Sequence, residues 1–288
     1  LNTSEDTPIT KIDFTAIDLD DDLLTYSFSN PTKGAVTDNG DSTYTYTPNS
    51  NEEGEDSFTL TINDGELSVS QVVSITINSV NDTPSVTSSA ITSISEDSSY
   101  SYTFVGSDPD AGDTLTYSAT TLPNWLSFDT TTGKLTGTPT NDNVGDHDVT
   151  LSVTDAGGLS TDQSFTISVS NTADAPEVTS NAKTSASEDT AFSYVFKASD
   201  VDAGSSVTYS KVVAPSWLSF DASTGVLSGT PSNDDVGDHD VTLRATDDTD
   251  LTTDQSFTVT VSNTNDSPVV SSTPPLEAYE NHSYSYIL

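Results

Sequence analysis

Apolar and polar residues alternate over short stretches through most of the chain. Phe58, Leu60 and Ile62 do so, and Val73, Ile75 and Ile77 follow after the turn Asn63-Asp64-Gly65. Further on, Tyr100, Tyr102 and Phe104 alternate with polar residues, as do Val149, Leu151 and Val153, and Phe165, Ile167 and Val169. A period of two sends successive side chains to opposite faces, so these stretches predict antiparallel strands with one face buried. Turn residues punctuate them, as in Asp129-Thr130-Thr131-Thr132-Gly133, where glycine is placed for a positive φ.

The pattern recurs at domain-sized spacing. Asn81-Asp82-Thr83-Pro84 returns as Ala173-Asp174-Ala175-Pro176 and as Asn265-Asp266-Ser267-Pro268, with 92 residues from each aspartate to the next. The expected organisation is three repeats, 1–82, 83–174 and 175–266, with 267–288 a truncated start of a fourth that carries a strand through Tyr284, Tyr286 and Leu288. The third repeat copies the second closely: Trp125 becomes Trp217, Phe128 becomes Phe220, and Gly-Asp-His-Asp at 145–148 returns at 237–240. About seven short strands per repeat predict an all-β chain of tandem Greek-key β-sandwiches of immunoglobulin-like shape, lying end to end. Trp125 and Trp217, among Leu and Phe neighbours, are expected as core plugs rather than as sugar-stacking platforms.

Composition narrows the chemistry. The 45 acidic residues against 7 basic ones give a formal charge of -38, which disfavours nucleic acid and anionic membrane as partners. With no cysteine there is no disulfide and no thiol chemistry, and no apolar run approaches the ~18 residues of a membrane span. The chain reads as a piece of a longer secreted or cell-surface protein. No phosphate-binding glycine loop, zinc motif or nucleophile elbow occurs, so an enzyme is not expected. His147 and His239 lie 92 residues apart, too far in sequence to share one metal within a repeat.

Many of the acids keep register. Glu5-Asp6, Glu96-Asp97, Glu188-Asp189 and Glu280-Asn281 fall at steps of 91, 92 and 92 residues. Asp18 and Asp20 recur as Asp108 and Asp110 and as Asp200 and Asp202, and the strand-ending Asp64 recurs as Asp155 and Asp247. Gathered carboxylates repel by about 1 kcal/mol per pair at ~4 Å even in water. Ca²⁺, which takes six to eight oxygens, turns such a cluster into a clamp.

Val105-Gly106-Ser107-Asp108-Pro109-Asp110-Ala111-Gly112, Phe128-Asp129, the strand ending at Asp155 and the Asn-Asp-x-Pro linkers together resemble a cadherin-type repeat. With Trp125-Leu126-Ser127-Phe128-Asp129 and Gly137-Thr138-Pro139, the second and third repeats are similar to bacterial dystroglycan-type cadherin-like modules. The first resembles another bacterial cadherin-like tandem repeat, through Glu5-Asp6-Thr7-Pro8, Tyr46-Thr47-Pro48 and Asp56-Ser57-Phe58. This resemblance implies calcium between consecutive sandwiches. It assigns Glu5, Glu53, Asp82, Asp108, Asp110 and Asp155 to the first joint, and Glu96, Asp142, Asp174, Asp200, Asp202 and Asp247 to the second. The chain departs from the animal pattern at Asn141-Asp142-Asn143, where an acidic pair flanking arginine is expected. The implied function is a calcium-rigidified extender or adhesion segment of a bacterial surface protein, with homotypic contacts or surface polysaccharide as partners. The alternative is a carbohydrate-binding accessory region of a polysaccharide-degrading enzyme.

Overall fold

The computed structural model describes residues 1–273, 277, 279–283, 285 and 287; the strand expected through Tyr284, Tyr286 and Leu288 lies outside the described residues. The chain divides into two compact units, Leu1–Ser170 and Asn171–Leu288. The first carries the sheets of the first two repeats and the second those of the third. All regular structure among the described residues is strand, apart from single 3₁₀ turns at Asn141–Asn143 and Asn233–Asp235. No helix there is long and apolar enough to cross a membrane.

Each repeat builds a four-stranded and a three-stranded sheet. In the first, Asn2–Ser4, Ser68–Asn78, Gly54–Asn63 and Thr25–Phe28 lie in that spatial order, facing Ile9–Asp13, Thr43–Pro48 and Gly34–Asp38. Asn2–Ser4 is an edge strand that runs parallel to Thr76–Asn78. The alternating residues of the sequence supply the inner faces: Tyr46, Phe58, Ile75 and Ile77 are buried, and Phe14 and Phe28 pack against them. In the second repeat the strands Thr116–Thr121, Gly145–Thr154, Ser160–Ser170 and Ser93–Ser95 face Tyr100–Thr103, Lys134–Gly137 and Leu126–Asp129. Here the core is Tyr100, Tyr102, Phe104, Leu135, Leu151 and Ile167. The third repeat has the same two sheets around Phe192, Tyr194, Phe196, Leu227 and Leu243.

The second and third repeats have an additional two-stranded ribbon. Ser85–Val86 pairs antiparallel with Gly106–Ser107, and Glu177–Val178 with Ala198–Ser199. Val86 and Val178 pack on their respective cores.

Trp125 and Trp217 are half-buried against the cores. Each indole meets an aromatic ring edge-on on either side, Tyr100 and His147 in one case, Phe192 and Trp217's partner His239 in the other. His147 and His239 serve this packing: their Nε2 atoms lie 2.7 Å and 2.6 Å from the carbonyls of Asn143 and Asp235. Close packing also fixes Gly137, which pairs with both Tyr100 and Leu126. A Cβ there would collide with the Trp125 carbonyl, a backbone atom that cannot swing aside. Gly137→Ala is expected to destabilise the second sandwich by about 1–3 kcal/mol, read as a lower urea midpoint of its transition.

Candidate metal centre

Six carboxylates meet inside the first compact unit, where the linker between the first two repeats passes the loops of the second. Glu5, Asp82 and Asp110 each offer one oxygen, all within 4.8 Å of one another, and so do Asp108, Asp113 and Asp155. The two triads adjoin through the loop that carries Asp108, Asp110 and Asp113.

Local structure explains how each acid is held. Glu5 follows the edge strand Asn2–Ser4, and its N–H donates to the Asn78 carbonyl at 2.9 Å. Asp6 then adopts φ 54°, a left-handed conformation that aspartate tolerates better than most residues, which turns the chain sharply. Glu5 is left buried, accepting the Val80 N–H at 2.5 Å. The Asp82 N–H donates to Asp110 Oδ2 at 2.8 Å, and the Asp110 N–H to Asp108 Oδ1 at 2.8 Å, so the loop folds around its own acids. Asp155 ends its strand, is buried, and accepts from the Gly158 and Leu159 N–H groups and from Asn81 Nδ2 at 2.8 Å. Gly157 leaves room for the Asn81 amide, and a Cβ there would push that side chain away from Asp155.

The electrostatics of the two kinds of position differ. Burial pushes the Asp82 carboxyl up, and the neighbouring Asp110, Asp6 and Asp108 charges push it further. Asp155 is held below the usual carboxylate range: burial raises it, but the Asn81 amide and the Leu159, Gly158 and Gly157 N–H groups outweigh that. Asp82 Oδ2 and Asp108 Oδ2 are buried with no hydrogen-bond partner, and no described ion pair involves the cluster. A cleft of about 310 Å³ lined by Asn81, Asp110, Gly112 and Asp113 opens beside it.

Of the residues expected at the first joint, Glu5, Asp82, Asp108, Asp110 and Asp155 therefore come together. Glu53 does not: it is exposed, and only its backbone carbonyl is engaged, by the Lys33 ammonium. Asp113 and Asn81 are additions. Asp113 does not keep register, since Ser205 stands at the corresponding position of the next repeat, and Asn81 keeps it only in part, returning as Asn265 but replaced by Ala173 in the linker between.

The residues expected at the second joint are distributed between the two compact units. In the first, Glu96 is buried beneath its N–H bond to the Ser170 carbonyl, and Asp142 is exposed on its 3₁₀ turn. In the second, the Asp174 N–H donates to Asp202 Oδ2 at 2.8 Å and the Asp202 N–H to Asp200 Oδ1 at 2.9 Å, which reproduces the arrangement of Asp82, Asp110 and Asp108. Asp200 Oδ2 and Asp202 Oδ1 are again buried without a partner. Asp247 is buried and accepts from the Thr249 and Leu251 N–H groups.

Comparison with known proteins places these sandwiches. Residues 1–76 match the family described as "Bacterial Ig domain". The chain is 35% identical over 134 residues to the "Serine-rich adhesin for platelets" of Staphylococcus aureus, and likewise to that of strain MRSA252. These matches cover 46% of this chain but only 6% and 10% of the two adhesins. Among solved structures, human CDH23 EC21-23 superposes with a TM-score of 0.55 at 20% identity, over 90% of this chain and 97% of that one. Protocadherin Gamma B2 extracellular cadherin domains 1-5 gives 0.51 at 21% identity, over 92% of this chain and 59% of that one. At such identities the likeness concerns the fold, which is that of cadherin extracellular domains. Residues 83–170 and 175–262 match the family described as "Putative Ig domain", and the chain belongs to that family.

Proposed function

We propose that the chain is a calcium-stiffened spacer of a bacterial surface or secreted protein, which holds an adhesive region away from the cell. The observation that carries this reading is the pair of carboxylate triads at the linker, with two buried oxygens, Asp82 Oδ2 and Asp108 Oδ2, that have no donor. Six acids from four separate segments supply oxygen ligands alone, a donor set that suits a hard cation such as Ca²⁺. The groups that would hold it are Glu5, Asp82, Asp108, Asp110, Asp113 and Asp155; the cation supplies the countercharge, and the chain's own hydrogen bonds fix the loops. Because Glu5 belongs to one sandwich and Asp108, Asp110, Asp113 and Asp155 to the next, a shared cation resists bending at the linker between them. The repeated arrangement at Asp174, Asp200 and Asp202 supports the same role for the second joint.

Adhesion is supported by the partial match to the staphylococcal adhesin and by the cadherin-like fold. The finer assignment to dystroglycan-type cadherin-like modules and the domain limits 1–82, 83–174 and 175–266 belong to the same proposal.

The absence of cysteine makes the test direct, since two can be introduced for spin labels, at Asp41 and Thr120 in the first two repeats. Calcium is expected to give saturable heat in a calorimetric titration and to narrow the label-to-label distance distribution. No heat and an unchanged distribution would sink the spacer reading.

A further inference from the structure

In the second and third sandwiches the segment that enters the fold and the strand that leaves it run side by side in the same direction. Ser93–Ser95 pairs parallel with residues 168–170, and Ser185–Ser187 with residues 260–262. In the second sandwich the Ser168 N–H donates to the Thr92 carbonyl at 2.9 Å and the Glu96 N–H to the Ser170 carbonyl at 3.0 Å. In the third, the Thr260 N–H reaches the Thr184 carbonyl at 2.9 Å and the Glu188 N–H the Ser262 carbonyl at 3.1 Å. Serine hydroxyls meet across each seam at 3.1 Å, Ser95 with Ser170 and Ser187 with Ser262.

Ahead of this backbone-paired stretch, side chains continue the seam. Thr161 Oγ1 donates to the Pro84 carbonyl at 2.5 Å, and Gln163 Nε2 to the Ser88 carbonyl at 2.9 Å. Gln163 is fixed from its other side as well, because its Oε1 accepts the hydroxyl of the buried Tyr102 at 2.7 Å. Gln255 repeats both bonds, with the Ser180 carbonyl at 2.8 Å and the Tyr194 hydroxyl at 2.6 Å. In the second sandwich, residues 84–96 are therefore tied to residues 161–170 from one end of the seam to the other.

Direction decides what such a seam does under load. Because the two segments are parallel, the start of the entering one and the end of the leaving one lie at opposite ends of the seam. Tension along the chain, acting at Pro84 and Ser170, slides one segment along the other. All bonds of the seam then carry load at once and have to fail together. In an antiparallel pair the two points would lie at the same end, and the bonds would open one at a time. The inner strands, among them Gly145–Thr154 and Lys134–Gly137, stay out of the load path until the seam gives. Forced unfolding is governed by the unfolding barrier rather than by equilibrium stability, so the bonds that stand in the load path set the strength.

We propose that these two sandwiches are tension-bearing elements, held against stretching by the parallel seam, with Gln163 and Gln255 as its side-chain cross-links. The added function is mechanical: each sandwich keeps its fold while the chain is pulled from both sides. It goes beyond the calcium-spacer reading, which concerns bending at the linkers, since no bond of the seam uses a carboxylate.

The chain has no cysteine, so two introduced thiols define the points of pull. Single-molecule stretching of the full chain through Thr83→Cys and Asn171→Cys, both at exposed positions, shears the seam of the second sandwich. Stretching through Ser98→Cys, also exposed, and Asn171→Cys peels the same seam from one end, because Ser95 and Ser170 are paired there. At one pulling speed, shearing is expected to need at least about twofold more force than peeling, in calcium and in chelator alike. Gln163→Leu is expected to lower the shearing force by about 1.3-fold or more and to leave the peeling force unchanged. A glutamine that only stabilised the fold would lower both. Circular dichroism and melting check that the variant is folded, and Gln255→Leu, in the other sandwich, should change neither force. Equal forces in the two directions overturn the proposal, as does a difference present only with calcium, which would place the resistance at the linker carboxylates. Shearing of Gln163→Leu at the wild-type force overturns the cross-link assigned to that residue.

Discussion

Replacing Asp56 by alanine is expected to make the first sandwich melt well before the rest of the chain. Asp56 is buried on the strand Gly54–Asn63 and accepts the Tyr46 hydroxyl at 2.7 Å, the Ser57 N–H at 2.8 Å, and the Thr32 and Lys33 N–H groups and the Thr32 hydroxyl at 3.0 Å. Tyr46 is itself wholly buried, so truncation strands its hydroxyl in the core together with two amides of the Thr32-Lys33 turn. Buried donors left without acceptors cost about 1–3 kcal/mol each; with some water entry the sum is about 2–4 kcal/mol. For a sandwich of this size that lowers the melting temperature by about 10–20 °C. Calorimetry should show that transition alone moving, and a thermogram superposable on wild type would refute the role assigned to Asp56.

The same carboxylate sets an acid limit. Burial alone pushes its pKa up, but the Tyr46 hydroxyl and the Thr32, Ser57 and Lys33 N–H groups outweigh burial and hold it down at about 2, from an ordinary 3.8. A group whose folded pKa is depressed stabilises the fold fully above the unfolded value. That contribution drains away as pH falls from about 4 towards 2, because the unfolded chain takes the proton first. In Asp56→Asn the neutral amide keeps the volume, and this part of the pH dependence of melting should disappear.

Asp108→Asn is expected to act in opposite directions with and without calcium. The amide oxygen can still accept the Asp110 N–H that Asp108 Oδ1 accepts at 2.8 Å, so the loop keeps its shape while one charge leaves the triad with Asp113 and Asp155. In chelator the loss of repulsion leaves melting unchanged or raises it. With calcium, a ligand has been weakened, and affinity should fall by at least about tenfold, as changes at or beside metal ligands do. Titration calorimetry combined with melting in both conditions reads the two signs. A variant that binds calcium as tightly as wild type would remove Asp108 from the site.

Much of the architecture was legible because it rests on local, repeated signals. Alternation at Phe58-Leu60-Ile62 or Val149-Leu151-Val153 dictates which strand face is buried, and those residues form the cores. The registered acids Glu5, Asp82, Asp108, Asp110 and Asp155 stood out because the same side chain recurs at a fixed step. The exceptions share a physical cause, which is that a three-dimensional neighbourhood is not periodic. Glu53 was assigned by the resemblance alone but is exposed to solvent, while Asp113 and Asn81 enter the cluster through the path of one loop and one linker. Asp56 occupies the strand position that His147 and His239 hold in the other repeats, and only folding brings it to Tyr46 and the Thr32-Lys33 turn.

The sequence by itself determined the strand pattern, the repeat and the acid-rich loops, because backbone alternation and turn chemistry act over a few residues. Tertiary structure alone decided which carboxylates share a cluster and which carboxylate the core satisfies. Those outcomes depend on contacts between segments far apart in the chain, which no local pattern encodes.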